Sequence, residues 1–119
     1  MLIKKAVLLI DDDKNIQEVI KMALEQTDIQ SVCCGSGMEA LDVAKEQRFP
    51  VIVTDYRMPG MTGVELTALL RTRHPDSFII GLSGENREKD FLDAGADAFF
   101  IKSFPFGDMI PLIRKKAAL

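Results

Sequence analysis

Short apolar runs recur five times along this chain, and the interval after each carries helical periodicity. Ala6-Val7-Leu8-Leu9-Ile10 lies in the first, over 5–10, and residues 29–34, 51–54, 78–82 and 98–101 form the others. Runs this short and this continuous read as strands buried on both faces rather than as helices or half-wet strands. The intervals supply the cover. Ile16, Val19, Ile20, Ala23 and Leu24 fall at i, i+3, i+4, i+7 and i+8, one face of a helix, and Asp13 is placed to cap it. A second helix reaches about residue 47 and is expected to bury Met38, Leu41 and Ala44. A third, over 64–73, turns Leu66, Leu69 and Leu70 inward. A fourth, over 85–94, is polar, with Phe91, Leu92 and Ala94 as its anchors and Gly95 as a left-handed C-cap. The last, roughly 106–117, contains Pro111, which a helix interior tolerates poorly.

Strands alternating with helices argue for an open parallel sheet covered on both sides, and right-handed crossovers leave few ways to thread it. The expected fold class is α/β: a flavodoxin-like three-layer (βα)5 sandwich with sheet order 2-1-3-4-5. With 119 residues the chain makes one domain, 1–119. It still has helix-forming composition at Leu119, so the N-terminal part of a longer protein is within expectation. In the 2-1-3-4-5 order strands one and three are neighbours, and ligands bind beyond the carboxyl ends of the strands where the winding reverses.

Acids sit at that place. Asp11-Asp12-Asp13 follows the first apolar run and Asp55 ends the third. Carboxylates about 4 Å apart repel by roughly 4 kcal/mol at an effective dielectric near 20. A cluster kept at that cost is expected to hold a hard divalent cation such as Mg²⁺. Ser83 and Lys102, at the ends of the fourth and fifth runs, add a hydroxyl and an ammonium to the rim. One carboxylate could then act as a nucleophile toward a phosphoryl group, whose charge needs cations and hydrogen-bond donors around it.

Composition excludes several other classes. The net charge of -3 gives no bulk attraction to nucleic acid. No apolar stretch approaches a membrane span and the N-terminus has no signal-peptide core. The two cysteines, Cys33 and Cys34, are adjacent, so they read as reduced small core residues of a cytoplasmic protein. Three aspartates after the first strand would repel the phosphate of a flavin, which removes a flavodoxin. His74, before Pro75, reads as a surface residue.

Four stretches together resemble the receiver domain of two-component response regulators. They are Val7-Leu8-Leu9-Ile10-Asp11-Asp12-Asp13, then Asp55-Tyr56-Arg57-Met58-Pro59-Gly60-Met61-Thr62-Gly63, then Leu82-Ser83-Gly84, and Ala94-Gly95-Ala96-Asp97-Ala98-Phe99-Phe100-Ile101-Lys102. The resemblance covers essentially the whole chain in order. It implies that Asp55 accepts a phosphoryl group from a phosphohistidine on a histidine kinase or phosphotransfer protein. It implies that Asp11, Asp12, Asp55 and the Arg57 carbonyl hold Mg²⁺, and that Lys102 and Ser83 contact phosphoryl oxygens. Ser83 and Phe99 would be the switch residues, changing the surface of helix 4, strand 5 and helix 5. Such a domain is a regulatory phosphoacceptor, not an enzyme, though it assists its own phosphorylation and dephosphorylation. Its implied partners are the kinase and an output domain or downstream protein, with no direct nucleic acid, no membrane, and a phosphorylation-dependent homodimer as a further state.

The chain departs from the family in two places, and two of its variable positions carry opposite charges. Ser103 follows Lys102 where proline is usual, and the nearest proline is Pro105. A cis bond before a non-proline residue costs about 3 kcal/mol, so a trans bond or a rearranged loop is expected and the reach of Lys102 is at issue. Phe99 replaces the frequent tyrosine. Arg57 and Glu85 occupy the variable positions that influence phosphoryl lifetime in the family, and their opposite charges are expected to pair. Two alternatives accompany the main reading: an aspartate-nucleophile phosphatase of haloacid-dehalogenase type, with Asp11 as nucleophile, and a receiver-like module that is never phosphorylated.

Overall fold

The computed structural model describes residues 7–103 and 106–117. Its elements alternate strictly: β1 (Val7–Ile10), α1 (Lys14–Glu25), β2 (Ser31–Cys34), α2 (Gly37–Glu46), β3 (Val51–Asp55), α3 (Gly63–Arg73), β4 (Phe78–Ser83), α4 (Glu88–Ala94), β5 (Ala98–Ile101) and α5 (Met109–Ala117). All strand pairs are parallel and the sheet order is β2-β1-β3-β4-β5, the flavodoxin-like order expected. Residues 5 and 6 of the expected first strand, and Pro105, lie outside the described residues.

Alternation along each strand sorts the core into two layers, because successive side chains point to opposite faces. Leu8, Ile10 and Ile52 pack with Ala40, Ala44, Leu66, Leu70 and Phe91 of α2, α3 and α4. Val7, Leu9, Val51 and Val53 pack with Ile20, Leu24, Met109 and Ile113 of α1 and α5. The central strands are therefore apolar on both sides. Each fully buried Leu or Ile contributes about 1.5–3 kcal/mol relative to exposure.

Three side chains expected inward face solvent instead: Met38 is 63% exposed, Leu69 41% and Leu92 42%. Helical phase explains the first two. Residues advance by about 100° each, so Gly37, Ala40 and Ala44 define one arc of α2 and place Met38 well outside it. On α3 the buried arc is Gly63, Leu66, Thr67 and Leu70, which leaves Leu69 beyond its edge. Thr67 tolerates burial because its hydroxyl donates to the Gly63 carbonyl at 2.7 Å. In α4, Phe91 is the buried residue, and the helix holds to the sheet mainly through that ring. Cys34 is buried as expected, whereas Cys33 is half-buried.

The helix ends follow local chemistry. Asp13 caps α1, its carboxylate accepting from Asn15 N at 2.9 Å and Ile16 N at 3.4 Å. Thr62 and Glu65 form a reciprocal capping box on α3. Helix α4 starts at Glu88, not at residue 85, because side chains capture the preceding N–H groups. Glu85 N donates to Ser83 Oγ at 3.1 Å and Glu88 N donates to Asn86 Oδ1 at 3.0 Å. Gly95 closes α4 at φ 114°, the left-handed cap expected. Helix α5 begins at Met109 because Phe106 takes φ 64°, outside the right-handed helical region. Pro111 then falls in the first turn, where its missing N–H leaves no intrahelical acceptor unserved.

Candidate functional site

The sheet register makes the site. Ile10 pairs with Thr54, so the residues that follow, Asp11 and Asp55, emerge side by side at the carboxyl edge. Ser83 pairs with Ile101 at the end of the neighbouring strands, and Lys102 N donates to Ser83 O at 2.7 Å. Lys102 thereby leaves β5 at the same edge. Its Nζ lies 2.9 Å from Asp11 Oδ2 and 3.1 Å from Asp55 Oδ1. The serine that replaces proline after Lys102 does not move the ammonium away from the acids.

Asp11 is fully buried, Asp55 is 5% exposed and Ser83 3%, while Asp12 is exposed. One carboxylate oxygen from each of Asp11, Asp12 and Asp55 lies within 4.8 Å of the others. Three hard oxygen donors at that spacing suit a Mg²⁺-sized cation, and one of them faces solvent for access. Asp11 Oδ2 is buried and faces the close ammonium of Lys102. The other oxygen, Oδ1, accepts from Asp13 N at 2.9 Å.

Electrostatics are tense here. Burial pushes the Asp11 carboxyl above its ordinary value, against the opposing pull of Lys102. Burial and then the negative charge of Asp11 push Asp55 up as well. Burial works to lower Lys102, but its contacts with Asp11 and Asp55 outweigh that and leave it raised. The ammonium thus offsets part of the charge of two carboxylates that burial has taken out of water.

The remaining expected residues divide. Arg57 turns its guanidinium to Glu85, Nη2 to Oε1 at 2.6 Å, which is the pairing anticipated from the sequence. Phe99 is half-buried in β5 with its ring 5.7 Å from that of Phe91. Asp13 serves as a helix cap and is not in the three-carboxylate cluster. His74 is the C-cap residue of α3 and half-buried. Burial, Arg48 and Arg73 lower its pKa.

Sequence reasoning missed Gln17. Its amide donates to Asp11 O at 2.6 Å and to Cys34 O at 3.2 Å, tying the loop that carries the acids to α1 and β2. Its position four residues after the Asp13 cap, on the first turn facing the strand ends, was the available signal. Arg87 was also missed. Its guanidinium lies 4.2 Å from the centre of the Tyr56 ring, a contact between residues far apart in sequence.

A family model of the response regulator receiver domain matches residues 7–114. The chain belongs to that family, the phosphorylation-controlled signalling domains of two-component systems. Among curated proteins, the transcriptional regulatory protein SrrA of Staphylococcus aureus is 30% identical over 116 residues, covering 95% of this chain. The chain spans about half the length of that relative, 47%. The response regulator TrrA from Thermotoga maritima, solved in complex with Mg²⁺ and beryllofluoride, is 28% identical with a TM-score of 0.86, over 92% of this chain and 96% of that one. The receiver domain of Francisella response regulator 1452 is 29% identical with a TM-score of 0.87, over 95% and 96%. The beryllofluoride-activated NtrC4 receiver domain, a dimer in solution, is 30% identical with a TM-score of 0.85, over 95% of each. Among the described residues, no helix is long and apolar enough to cross a membrane.

Proposed function

We propose that this chain is a phosphorylation-dependent switch whose phosphoacceptor is Asp55. The observation that carries the reading is the bridge of Lys102 between two buried carboxylates, Asp11 and Asp55, at the carboxyl edge of the sheet. In that reading a carboxylate oxygen of Asp55 forms a P–O bond as the P–N bond of a phosphohistidine donor breaks, and the imidazole leaves. The donor is a histidine kinase or phosphotransfer protein. Asp11, Asp12 and Asp55, with the Arg57 carbonyl, hold Mg²⁺, which supplies charge neutralisation for the incoming phosphoryl oxygens. Lys102 stays at the site and contacts a phosphoryl oxygen. Ser83 turns from the Glu85 N–H to donate its hydroxyl proton to another, and Phe99 repacks as it does so.

The phosphoryl group adds close to two negative charges beside residues that already reach α4 and β5. The surface of α4, β5 and α5 is the proposed output, read by an attached domain, a downstream protein or a second copy of the chain. Residues 1–119 would constitute the receiver, N-terminal to any such domain. Placing the protein in the cytoplasm, where a kinase and free Mg²⁺ meet it, belongs to the same reading. Removal of the phosphoryl group by water at the same site would make the switch self-resetting.

The test is labelling with acetyl phosphate and Mg²⁺, read by intact mass. Wild type gains one phosphoryl group and Asp55→Asn gains none. An adduct at Asp11 with turnover of phosphate esters would favour the phosphatase alternative, and no adduct at all would favour a module that is never phosphorylated.

A further inference from the structure

A chain of charges ties the loop after β3 to the start of α4, and the phosphoryl chemistry above does not use it. Arg57 pairs with Glu85 at 2.6 Å, Arg87 Nη2 lies 3.7 Å from the same Glu85 oxygen, and Arg87 Nη1 lies 3.6 Å from Asp90 Oδ2. The Arg87 side chain is 30% exposed, against 71% for Arg57 and 55% for Glu85 and Asp90, so it is the sheltered member at the centre. What shelters it is Tyr56, whose ring centre is 4.2 Å from the guanidinium carbon.

Tyr56 is where the site and α4 meet. It follows Asp55, and its N–H donates to Leu82 O at 3.0 Å. The ring of Phe91, the buried residue of α4, stands edge-on to it at 6.3 Å between centres. Phe91 itself has one seat, against Gly81, where a Cβ would come within 2.4 Å of its ring. Helix α4 thus touches Tyr56 twice, through the ring of Phe91 and through Arg87 over the Tyr56 face. Arg87 is the N-cap residue of α4 but makes no side-chain capping bond, so helix capping does not account for its placement.

We propose that Arg87 is a positioning residue that latches the start of α4 to Tyr56 and so opposes the switch. The proposal rests on Asp55 as phosphoacceptor and adds to it what sets the threshold. In the arrangement observed, Ser83 Oγ accepts from Glu85 N at 3.1 Å. In the proposed switch, Ser83 swings toward an oxygen carried by Asp55 and this turn opens with it. Arg87 restrains the same loop at Glu85 and at Tyr56. Phosphorylation adds negative charge two residues from Arg57, weakens the hold of Arg57 on Glu85, and leaves Arg87 as the remaining restraint. Loss of one such cation–π contact shifts the equilibrium toward the opened loop by about two- to fivefold.

The experiment titrates beryllofluoride into the full chain with saturating Mg²⁺, following backbone amide resonances by NMR. It compares wild type, Arg87→Gln, Arg87→Lys, Tyr56→Leu and the Arg87→Gln/Tyr56→Leu double variant. Arg87→Gln is expected to bind beryllofluoride about two- to fivefold tighter with unchanged Mg²⁺ affinity. Arg87→Lys, which keeps the charge without the planar stack, falls between. In the Tyr56→Leu background, Arg87→Gln has a clearly smaller effect, because only its ion pair with Glu85 remains to be lost. General loosening of the fold would lower the urea midpoint without this pattern. Equal or weaker binding by Arg87→Gln, or the same gain without Tyr56, overturns the latch while leaving Asp55 as acceptor. Failure of wild type itself to take beryllofluoride with Mg²⁺ overturns the acceptor reading and the latch with it.

Discussion

Removing the ammonium of Lys102 tests the site at its most loaded point. Lys102→Met keeps the length and apolar stem and deletes the charge. At an effective dielectric near 20, the contacts at 2.9 and 3.1 Å correspond to about 6 and about 5 kcal/mol of gross attraction. Most of that offsets the desolvation of three charges, so the gross figure is not the loss. The loss is set by what remains: side chains of Asp11 and Asp55 that are 1% and 7% exposed, facing each other without a cation. Breaking a buried ion pair by deleting one partner typically costs about 3–5 kcal/mol. Urea unfolding of Lys102→Met at pH 8 with a chelator is therefore expected to show a loss of about 3 kcal/mol. The pH dependence has a definite sign. Burial already raises both carboxyl groups, and without the ammonium they rise further above their unfolded values. Acids whose folded pKa is raised favour the fold as pH falls, so the deficit must shrink toward pH 5. Millimolar Mg²⁺ at pH 8 should restore much of it, since a divalent cation replaces the missing charge. A deficit under about 0.5 kcal/mol at pH 8, or one that grows on acidification, would refute the reasoning, because a buried pair left unpaired is not so cheap.

Other outcomes follow from single contacts. Phe91→Ala should destabilise the protein by about 3–5 kcal/mol in urea titration, since this fully buried ring fastens α4 to the sheet; a loss below about 1 kcal/mol would mean that α4 is held by something else. Asp13→Ala should cost about 1 kcal/mol through the lost α1 cap while leaving Mg²⁺ affinity unchanged by calorimetry. His74 should titrate below the ordinary value of 6.5 in an NMR pH series, because burial and then Arg48 and Arg73 disfavour its charge. Its small contribution to stability is present above its unfolded pKa and fades as pH falls, and a midpoint at or above 6.5 would contradict the placement.

Much of this protein was legible in its residues. Short apolar runs and the helical spacing between them determine the alternation of elements and the parallel sheet, because periodicity is a local property that burial must respect. The Asp13 cap and the Gly95 terminator are likewise local, each decided by one side chain or by its absence. Acids at the ends of the first and third runs told that a charged rim would form once the sheet order was known. Other features needed the tertiary structure. Whether Leu69 or Thr67 is buried on α3 turns on tens of degrees of helix phase, which neighbouring elements set. Whether Lys102 reaches Asp11 and Asp55 despite Ser103 depends on where β5 ends beside β4, and the hydrogen bond from Lys102 N to Ser83 O decides it. The stack of Arg87 on Tyr56 joins two loops with all of α3 and β4 between them. Local chemistry fixes which residues arrive at the sheet edge. Long-range packing alone fixes which of them touch, because contact distances of a few ångströms are set by strands and helices that no short stretch of sequence contains.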